Sequence, residues 1–259
     1  MNITDFQRLK GVEKISSITA YDALMAGIFD GEVDMILVGD SLSMSFGGND
    51  DTIPLSLEDM IYHARAVRKA VKKSLLIVDM PFGTYSTVES GLKNAIKLYK
   101  DSGADALKLE VGESKIPLLE ALIDNGIAIM AHIGLKPQFY RSEGGYKIKG
   151  KSDSEKTQLL DLAKKLENIG CFSVLIEGTK ADIATKITQS LSIPTIGIGS
   201  GNGTDGQILV WSDAFGFFDK FTPKFVRKYL NGSTLLKDAI KRYNDDIKSL
   251  NFPNESESY

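Results

Sequence analysis

The sequence has little of several features that would place a protein in a particular class. Its 259 residues include a single cysteine, Cys171, which excludes an intrachain disulfide and favours a reducing, cytoplasmic location. No apolar run approaches the ~18 residues that a membrane-spanning helix needs, and residues 1–10 are too polar for a secretory signal. The formal net charge of −3 provides no basic surface for nucleic acid or an anionic membrane. We therefore expect small molecules, or further copies of this chain, as partners.

What the sequence has instead is a regular alternation of short apolar runs and helix signals. This alternation predicts an α/β fold with a parallel sheet and crossover helices, and the length fits one barrel domain of about 250 residues. Eight strands are predicted near residues 15–20, 35–40, 75–79, 106–110, 127–133, 173–177, 194–198 and 207–211. Eight such units predict a closed (β/α)₈ TIM barrel as a single domain over 1–259, with a doubly wound open sheet as the alternative.

The connections between the predicted strands differ in length and in their helix signals. Residues 41–56 and 134–153 exceed the usual ~2–6 residues of such loops, which makes both segments candidate lids. The run Ser86-Thr-Val-Glu89 predicts a capping box at the start of a helix. A terminal amphipathic helix is predicted before a short polar tail, about residues 251–259, which we expect to be disordered.

Five predicted strands end in residues that can do chemistry. In chain order these residues are Asp40, Asp79, Lys108 with Glu110, His132, and Glu177. The carboxyl ends of barrel strands meet at one mouth, where active sites lie. A single aspartate after a strand is more often a helix N-cap or a turn residue, but repetition on several strands weakens that interpretation. The pattern therefore predicts an enzyme with its site at this mouth.

Three carboxylates in this set predict a metal site. Asp40, Asp79 and Glu110 follow three consecutive strands, so they should lie side by side and repel one another. A divalent cation would relieve that repulsion. All-oxygen ligation favours Mg²⁺, Mn²⁺ or Ca²⁺ over zinc, and a few protein ligands with room for water and substrate are typical of Mg²⁺.

The remaining polar residues have candidate roles around this metal. Lys108 lies two residues before Glu110, so both side chains point to the same side of the strand, and Lys108 would bind a substrate anion or else pair with a neighbouring carboxylate. His132 would donate a hydrogen bond to substrate, although alone it would be interpreted as a buried structural histidine. Glu177 lies across the ring and would have a raised pKa suited to a general base; its alternative role is a helix N-cap.

Several segments resemble ketopantoate hydroxymethyltransferase, also called 3-methyl-2-oxobutanoate hydroxymethyltransferase. The matching segments run in the same order over about residues 15–225, and they include Leu37-Val-Gly-Asp-Ser41, Val78-Asp-Met-Pro-Phe82, Lys108-Leu-Glu110, Ala131-His-Ile-Gly-Leu135 with Pro137-Gln138, and Gly144-Gly-Tyr-Lys147. The resemblance implies a barrel of the phosphoenolpyruvate/pyruvate superfamily. It also implies Mg²⁺-dependent transfer of a one-carbon unit from 5,10-methylenetetrahydrofolate to 3-methyl-2-oxobutanoate, giving 2-dehydropantoate on the way to pantothenate and coenzyme A.

The resemblance also implies roles for individual residues and an assembly. Carried over by matching position, Asp40, Asp79 and Glu110 form the metal shell, with Asp40 and Asp79 also near the keto acid. Ser41 and Lys108 contact the keto acid with His132 beside them, and Glu177 accepts the proton. Family members are typically homodecamers.

Two other functions compete with this one. The first is a Mg²⁺-dependent C–C lyase on the same barrel, such as isocitrate lyase or its mutase relatives, which carry a cysteine-bearing loop near the mouth. Cys171 opens the sixth predicted strand at its amino end, on the opposite face, which disfavours a lyase. The second is a non-catalytic barrel that acts as a scaffold, which should have lost at least one of the four acids, whereas all four are present.

Overall fold

The structure, a computed structural model that describes residues 1–218 and 222–259, contains a closed barrel of eight parallel strands. The strands are β1 Ile15–Thr19, β2 Met35–Val38, β3 Leu75–Asp79, β4 Ala106–Glu110, β5 Ile129–Gly134, β6 Ser173–Glu177, β7 Thr195–Ile198 and β8 Gly206–Leu209. Each strand pairs with the next in sequence, and β8 pairs with β1 through the register Ile15↔Gly206. This closure confirms the predicted (β/α)₈ barrel and excludes the open sheet.

Helices lie between consecutive strands from β1 to β7, whereas the described residues 199–205 join β7 and β8 without a helix. The helix bounds are α1 Ile3–Arg8, α2 Ala23–Phe29, α3 Leu42–Ser45, α4 Leu57–Ala70, α5 Val88–Ser102, α6 Ile116–Asp124, α7 Tyr140–Glu143, α8 Asp153–Asn168, α9 Ala181–Ser190, α10 Trp211–Ala214 and α11 Gly232–Lys248. Among the described residues, no helix combines the length and the apolar character that a bilayer crossing requires.

The predicted capping box at Ser86–Glu89 is wrong by one residue. Thr87 is the N-cap of α5, and its hydroxyl accepts the backbone N–H of Ser90, whose own hydroxyl accepts the N–H of Thr87. The Ser86 hydroxyl instead donates to the carbonyl oxygen of Gly83 in the preceding turn. Ser86 and Thr87 can both cap a helix. Because the preceding turn engages the hydroxyl of Ser86, Thr87 is the residue that caps α5.

The barrel interior is filled by alternate residues of the strands. One buried cluster takes side chains from every strand, including Met35, Leu75, Met130 and Ile196, and the ring of Phe6 from α1 joins it. Because side chains alternate along a strand, residues two positions apart share a face. The inward face that begins with Leu75 on β3 therefore continues to Asp79, and this register delivers polar groups to the carboxyl end of the barrel.

The chain divides into two compact units, Met1–Val210 and Trp211–Tyr259. The first contains the whole barrel. The second contains α10, the predicted terminal helix as α11, and a 3₁₀ turn at Glu255–Glu257 inside the tail that we expected to be disordered. The single domain over 1–259 stays a prediction.

The two long connections have internal structure and contact each other. Residues 41–56 include α3, and residues 134–153 include a 3₁₀ turn at Pro137–Phe139 followed by α7. Arg141 on α7 donates from Nε to Oδ2 of the buried Asp51 over 2.7 Å, which joins one connection to the other. Their action as lids stays a prediction.

Candidate active site

The polar residues predicted from the strand ends converge at one end of the barrel. Asp79 and Glu177 are the last residues of β3 and β6, Lys108 and Glu110 lie on β4, and His132 lies on β5. Asp40 and Ser41 follow β2 directly, before α3. Contacts between these residues, described below, join all five strands into one site.

Asp79 and Lys108 form a buried ion pair at the centre of the site. Their side chains are 3% and 6% exposed, and Lys108 Nζ donates to Asp79 Oδ1. The other carboxylate oxygen of Asp79 accepts the backbone N–H of Asp40 over 3.0 Å. Burial alone would lower the pKa of Lys108, but the carboxylates of Asp79, Asp40 and Glu110 raise it above its ordinary value. Lys108 is therefore a permanent cation, and in this structure it pairs with a carboxylate, the alternative that its sequence position left open.

Asp40 and Glu110 are buried carboxyl groups that form no ion pair with a Lys or Arg of residues 1–218 and 222–259. Burial, together with the charge of Asp79, raises the pKa of Asp40 to about 7. Burial and the charge of Asp40 raise the pKa of Glu110 well above its usual range. Three acids thus share the single charge of Lys108, and Asp40 and Glu110 retain their protons to a higher pH than an ordinary carboxyl group does.

His132 lies between two of these acids. Its Nε2 is 3.4 Å from Glu177 Oε2, and its Nδ1 is 3.9 Å from Glu110 Oε1. Burial, with Lys108 nearby, holds the pKa of His132 well below its usual value, so the ring is neutral. Within the described residues, neither ring nitrogen has a hydrogen-bond partner. A buried polar group without a partner is costly, which is the condition expected of a group that binds a ligand.

Glu177 is the most accessible acid of the site. Its side chain is 19% exposed, whereas that of His132 beside it is 1% exposed. Burial raises the pKa of Glu177 to about 8, with Lys108 acting in the opposite direction. A carboxyl group with a pKa near neutrality can accept and return a proton at physiological pH, as general acid–base chemistry requires.

Ser41 is held by a chain of hydroxyl groups. Its Oγ lies 2.8 Å from the hydroxyl of Tyr21, which in turn accepts from Thr19 Oγ1 over 3.0 Å. Both residues are buried; Thr19 is the last residue of β1, and Tyr21 follows the strand. The orientation of Ser41 is therefore fixed from a neighbouring strand.

The donor chemistry of the site fits a divalent cation. Asp40, Asp79 and Glu110 supply only oxygen, and their excess negative charge is what a hard cation neutralises. Across residues 1–218 and 222–259, however, no three His, Cys, Asp or Glu side chains are grouped closely enough to hold a metal ion by themselves. The structure thus provides no finished three-carboxylate cage, and the metal ligands stay a prediction.

Sequence reasoning missed two buried residues among these acids. Gln138, in the 3₁₀ turn after β5, donates from its backbone N–H to Glu110 and from Nε2 to Asp40. Tyr85, before α5, donates its hydroxyl to Gln138 Oε1 over 2.5 Å. Both residues lie in connections, where no strand period predicts the side-chain direction; the Pro137-Gln138 pair within the family resemblance was the one available signal.

A cavity of about 460 Å³ lies beside the carboxylate cluster rather than over it. It opens where β4 and β5 end and is bounded by α8, with an apolar wall that includes Val111, Ile133 and Leu162. Lys136 also lines it. This lysine is close enough to Glu110 for the charge of Glu110 to act on its pKa, which burial lowers overall. The cavity therefore adjoins the acid site on the β4–β5 side.

Fold and site together define a (β/α)₈-barrel enzyme with a buried carboxylate–lysine–histidine cluster. Among solved structures, phosphonopyruvate hydrolase in complex with oxalate and Mg²⁺ has a TM-score of 0.63 at 13% identity, covering 99% of this chain and 93% of that one. A 2,3-dimethylmalate lyase described as a PEP mutase/isocitrate lyase superfamily member has a TM-score of 0.59 at 15% identity, covering 97% and 87%. These similarities confirm the barrel fold.

Sequence comparison identifies the family. The family model for ketopantoate hydroxymethyltransferase matches residues 1–255. The chain is 59% identical to the 3-methyl-2-oxobutanoate hydroxymethyltransferase of Helicobacter hepaticus, covering 100% of this chain and 98% of that protein. It is 54% identical to the enzyme of the same name from Wolinella succinogenes, covering 100% and 99%. The chain belongs to the ketopantoate hydroxymethyltransferase family, a family of transferases, which confirms the resemblance and the prediction of an enzyme.

Proposed function

We propose that this enzyme transfers a one-carbon unit from 5,10-methylenetetrahydrofolate to 3-methyl-2-oxobutanoate, with Mg²⁺ bound, to give 2-dehydropantoate. The proposal rests on the pKa of Glu177 and on its position relative to the other acids. An accessible carboxyl group with a pKa of about 8 lies beside a neutral histidine, on a different strand from the Asp79–Lys108 pair. This arrangement separates a proton acceptor from the groups that would bind the keto acid.

Asp40 and Asp79 are the residues that we propose to hold Mg²⁺, with Glu110 acting through water. Among the described residues no three His, Cys, Asp or Glu side chains are grouped as direct ligands, so we assign at least one of the three acids to act through water. When bound, the cation would act as a Lewis acid that polarises the 2-keto group of the substrate and acidifies its C3 hydrogen.

The chain's own residues account for the proton transfer and the positioning. Glu177 takes the C3 proton, and the electrons of the broken C–H bond form the enolate. Lys108 stabilises the negative charge on the substrate's oxygens, while His132, whose ring nitrogens have no partner among the described residues, donates a hydrogen bond to them. Ser41 orients the carboxylate of the keto acid. Water breaks both C–N bonds of the folate methylene group, which releases tetrahydrofolate and leaves the carbon as formaldehyde. The enolate C3 then forms a bond to that carbon, and the formaldehyde oxygen takes up a proton to become the hydroxyl of the new hydroxymethyl group.

The folate needs space beside the keto acid, and the cavity between β4, β5 and α8 supports its binding there. A volume of about 460 Å³ lies within the range of small-molecule sites, which are mostly apolar with a few polar groups. Its wall joins apolar residues such as Leu159 to polar ones such as Lys136 and Glu143. Gly134, also in the wall, pairs with Glu177 in the sheet, so the cavity begins next to the proposed base.

The direct test is product formation. Incubation with MgCl₂, 3-methyl-2-oxobutanoate and 5,10-methylenetetrahydrofolate should yield 2-dehydropantoate, detected by mass spectrometry. Omitting any one component should abolish the product. A second measurement titrates the keto acid calorimetrically with Mg²⁺ or with EDTA. Keto-acid affinity that is the same in EDTA would contradict the metal site, whereas product formed from another one-carbon donor would contradict only the folate.

We further propose a homo-oligomer, with the decamer implied by the family resemblance as its size. Exposed apolar side chains on two adjacent helices support an interface: Leu24 and Ile28 on α2, and Tyr62 on α4. Light scattering at micromolar concentration should report about ten chains per particle. A monomer at that concentration would contradict the proposal.

A further inference from the structure

Gln138 lies in a connecting turn, yet it hydrogen-bonds to two acids of the site, Asp40 and Glu110. Its side chain is buried, and its Nε2 donates to Asp40 Oδ2 over 2.8 Å and to the carbonyl oxygen of Met80 over 3.0 Å. Its backbone N–H donates to Glu110 Oε2 over 3.1 Å. One residue therefore joins two of the three acids that we propose to act on the metal.

The orientation of the Gln138 amide is determined by its partners. Nε2 faces a carboxylate and a backbone carbonyl, which can only accept hydrogen bonds. Oε1 faces the hydroxyl of Tyr85, which donates over 2.5 Å. A flipped amide would place its oxygen against two acceptors and would leave Tyr85 without its acceptor in Gln138. Tyr85 therefore fixes the amide, and the amide in turn fixes the Asp40 carboxylate.

We propose that Gln138 is a positioning residue that sets the orientation of Asp40 and Glu110 for binding of the divalent cation and the keto acid. The inference rests on the proposed function, because it assigns Gln138 a task toward that cation. Groups that hydrogen-bond to metal-binding carboxylates orient them, and their loss typically costs 10–100-fold in metal affinity. Gln138 stands in that relation to two carboxylates at once.

The position of Gln138 in the chain relates its contact with Asp40 to the two long connections. The turn Pro137–Phe139 leads directly into α7, which is joined to the connection 41–56 by the Arg141–Asp51 ion pair. That second connection begins at Ser41, next to Asp40. The contacts of Gln138 and Arg141 thus connect residues 134–153 to Asp40 and to Asp51, on the segment that follows β2.

The test compares Gln138→Met with Gln189→Met. Methionine keeps the length of the side chain and the backbone N–H to Glu110 but donates nothing to Asp40. Gln189 is exposed on α9 and provides the matched control. Calorimetric titration with MgCl₂, with and without 3-methyl-2-oxobutanoate, should show a 10–100-fold weaker Mg²⁺ affinity for Gln138→Met. The Gln189→Met affinity should equal that of the wild type, and both variants should keep a cooperative thermal transition.

A structural role alone would lower the melting temperature of Gln138→Met and leave its Mg²⁺ affinity unchanged, an outcome that overturns the inference. If wild-type protein itself binds no divalent cation, the metal part of the proposed function fails and the inference fails with it. Tyr85→Phe provides a second route should Gln138→Met not fold. It removes only the hydroxyl that orients the amide, so a severalfold loss of Mg²⁺ affinity supports the inference and wild-type affinity contradicts it.

Discussion

Acidic side chains lie at both ends of the barrel strands, in opposite circumstances. At the amino ends, Asp205 precedes β8, and its Oδ2 accepts from Lys10 Nζ over 2.7 Å and from the backbone N–H of Thr195 over 2.8 Å. At the carboxyl ends, Asp40 and Glu177 have no Lys or Arg partner within the described part of the chain, and burial raises the pKa of Asp40 to about 7 and that of Glu177 to about 8. The protein itself satisfies the first group of acids and leaves the second group incompletely compensated.

Two acids near the amino ends, Asp30 and Glu167, have pKa shifts opposite in direction to those of Asp40 and Glu177. Burial alone would raise the pKa of Asp30, which lies before β2, but the backbone N–H groups of Ser74, Lys73 and Lys72 hold it below its ordinary value. Glu167, at the end of α8, behaves in the same way, because the hydroxyl and backbone N–H of Ser192 outweigh its burial. A lowered carboxyl pKa means that the folded state stabilises the charge, and a raised one means that it does not.

The difference separates acids that hold the barrel together from acids that we propose to take part in its chemistry. Carboxylates at the amino ends accept backbone N–H groups near the starts of neighbouring strands, as Asp105 does from Leu76 over 2.8 Å. They therefore stabilise the closed sheet. Carboxylates at the carboxyl ends face one another, and their uncompensated charge is available to a ligand. In barrels of this kind, the carboxyl face is the catalytic one.

The largest effect should come from Glu177→Gln at the carboxyl end. The change keeps the shape of the side chain and removes the proton acceptor, so turnover should fall by roughly 10²–10⁴ while Mg²⁺ and keto-acid affinities change little. Exchange of the C3 proton of the keto acid with deuterium should fall in parallel, because it requires enolate formation but no folate. If the variant loses turnover yet exchanges the C3 proton at the wild-type rate, Glu177 is not the base.

The next largest effect should come from the opposite end of the barrel and should leave catalysis intact. Asp205→Ala removes the acceptor for Lys10 and for Thr195, and it should lower the free energy of unfolding by about 3 kcal/mol. Denaturant titration measures this loss, and kcat of the folded variant should match the wild type. The exposed Asp182→Ala is the control and should stay within about 0.5 kcal/mol of wild type. An Asp205→Ala variant that keeps its stability but loses turnover would contradict the assignment of a structural role to the acids at the amino ends.

The barrel and the positions of its acids could be predicted because one physical rule covers both. A strand buried on both faces needs a continuous apolar run, and the polar residue that ends the run marks the carboxyl end, as Asp79 does on β3 and Glu177 on β6. The period of two also placed Lys108 with Glu110 on one side of β4. Convergence of these residues then follows from the closure of the barrel.

The parts that sequence reasoning missed depend on contacts between connections. Gln138 reaches Asp40 across 98 residues of sequence, and Tyr85 reaches Gln138 across 53, distances over which no local pattern constrains a turn. The helix cap at Thr87 was misplaced because Ser86 has the same capping chemistry, and only the turn at Gly83 distinguishes them. Lys108 pairs with Asp79 in the structure. From the sequence it could equally have been left free to bind a substrate anion, and no local pattern distinguished these two alternatives.

The smallest predicted effect follows from the opposite pKa shifts at the two ends and concerns thermal stability against pH. Asp40, Glu110 and Glu177 have raised pKa values, so between about pH 4.5 and pH 8 these three groups bind more protons in the folded state than in the unfolded state. His132, whose pKa is held well below its usual value of 6.5, opposes them below that pH, but it is one group against three. Stability of the metal-free protein should therefore fall as pH rises through this window. Asp30, whose pKa is lowered, acts in the other direction, and its contribution is lost only as pH falls below its ordinary value of 3.8.

Mg²⁺ binds ionised carboxylates, so saturating MgCl₂ should raise the melting temperature by several degrees at pH 8 and by less at pH 5.5. Scanning calorimetry at the two pH values, with and without MgCl₂, measures both slopes. Asp40→Asn should flatten the metal-free slope and reduce the Mg²⁺ gain, whereas an equal Mg²⁺ gain at both pH values in wild type would contradict the assignment of uncompensated acids to the carboxyl end.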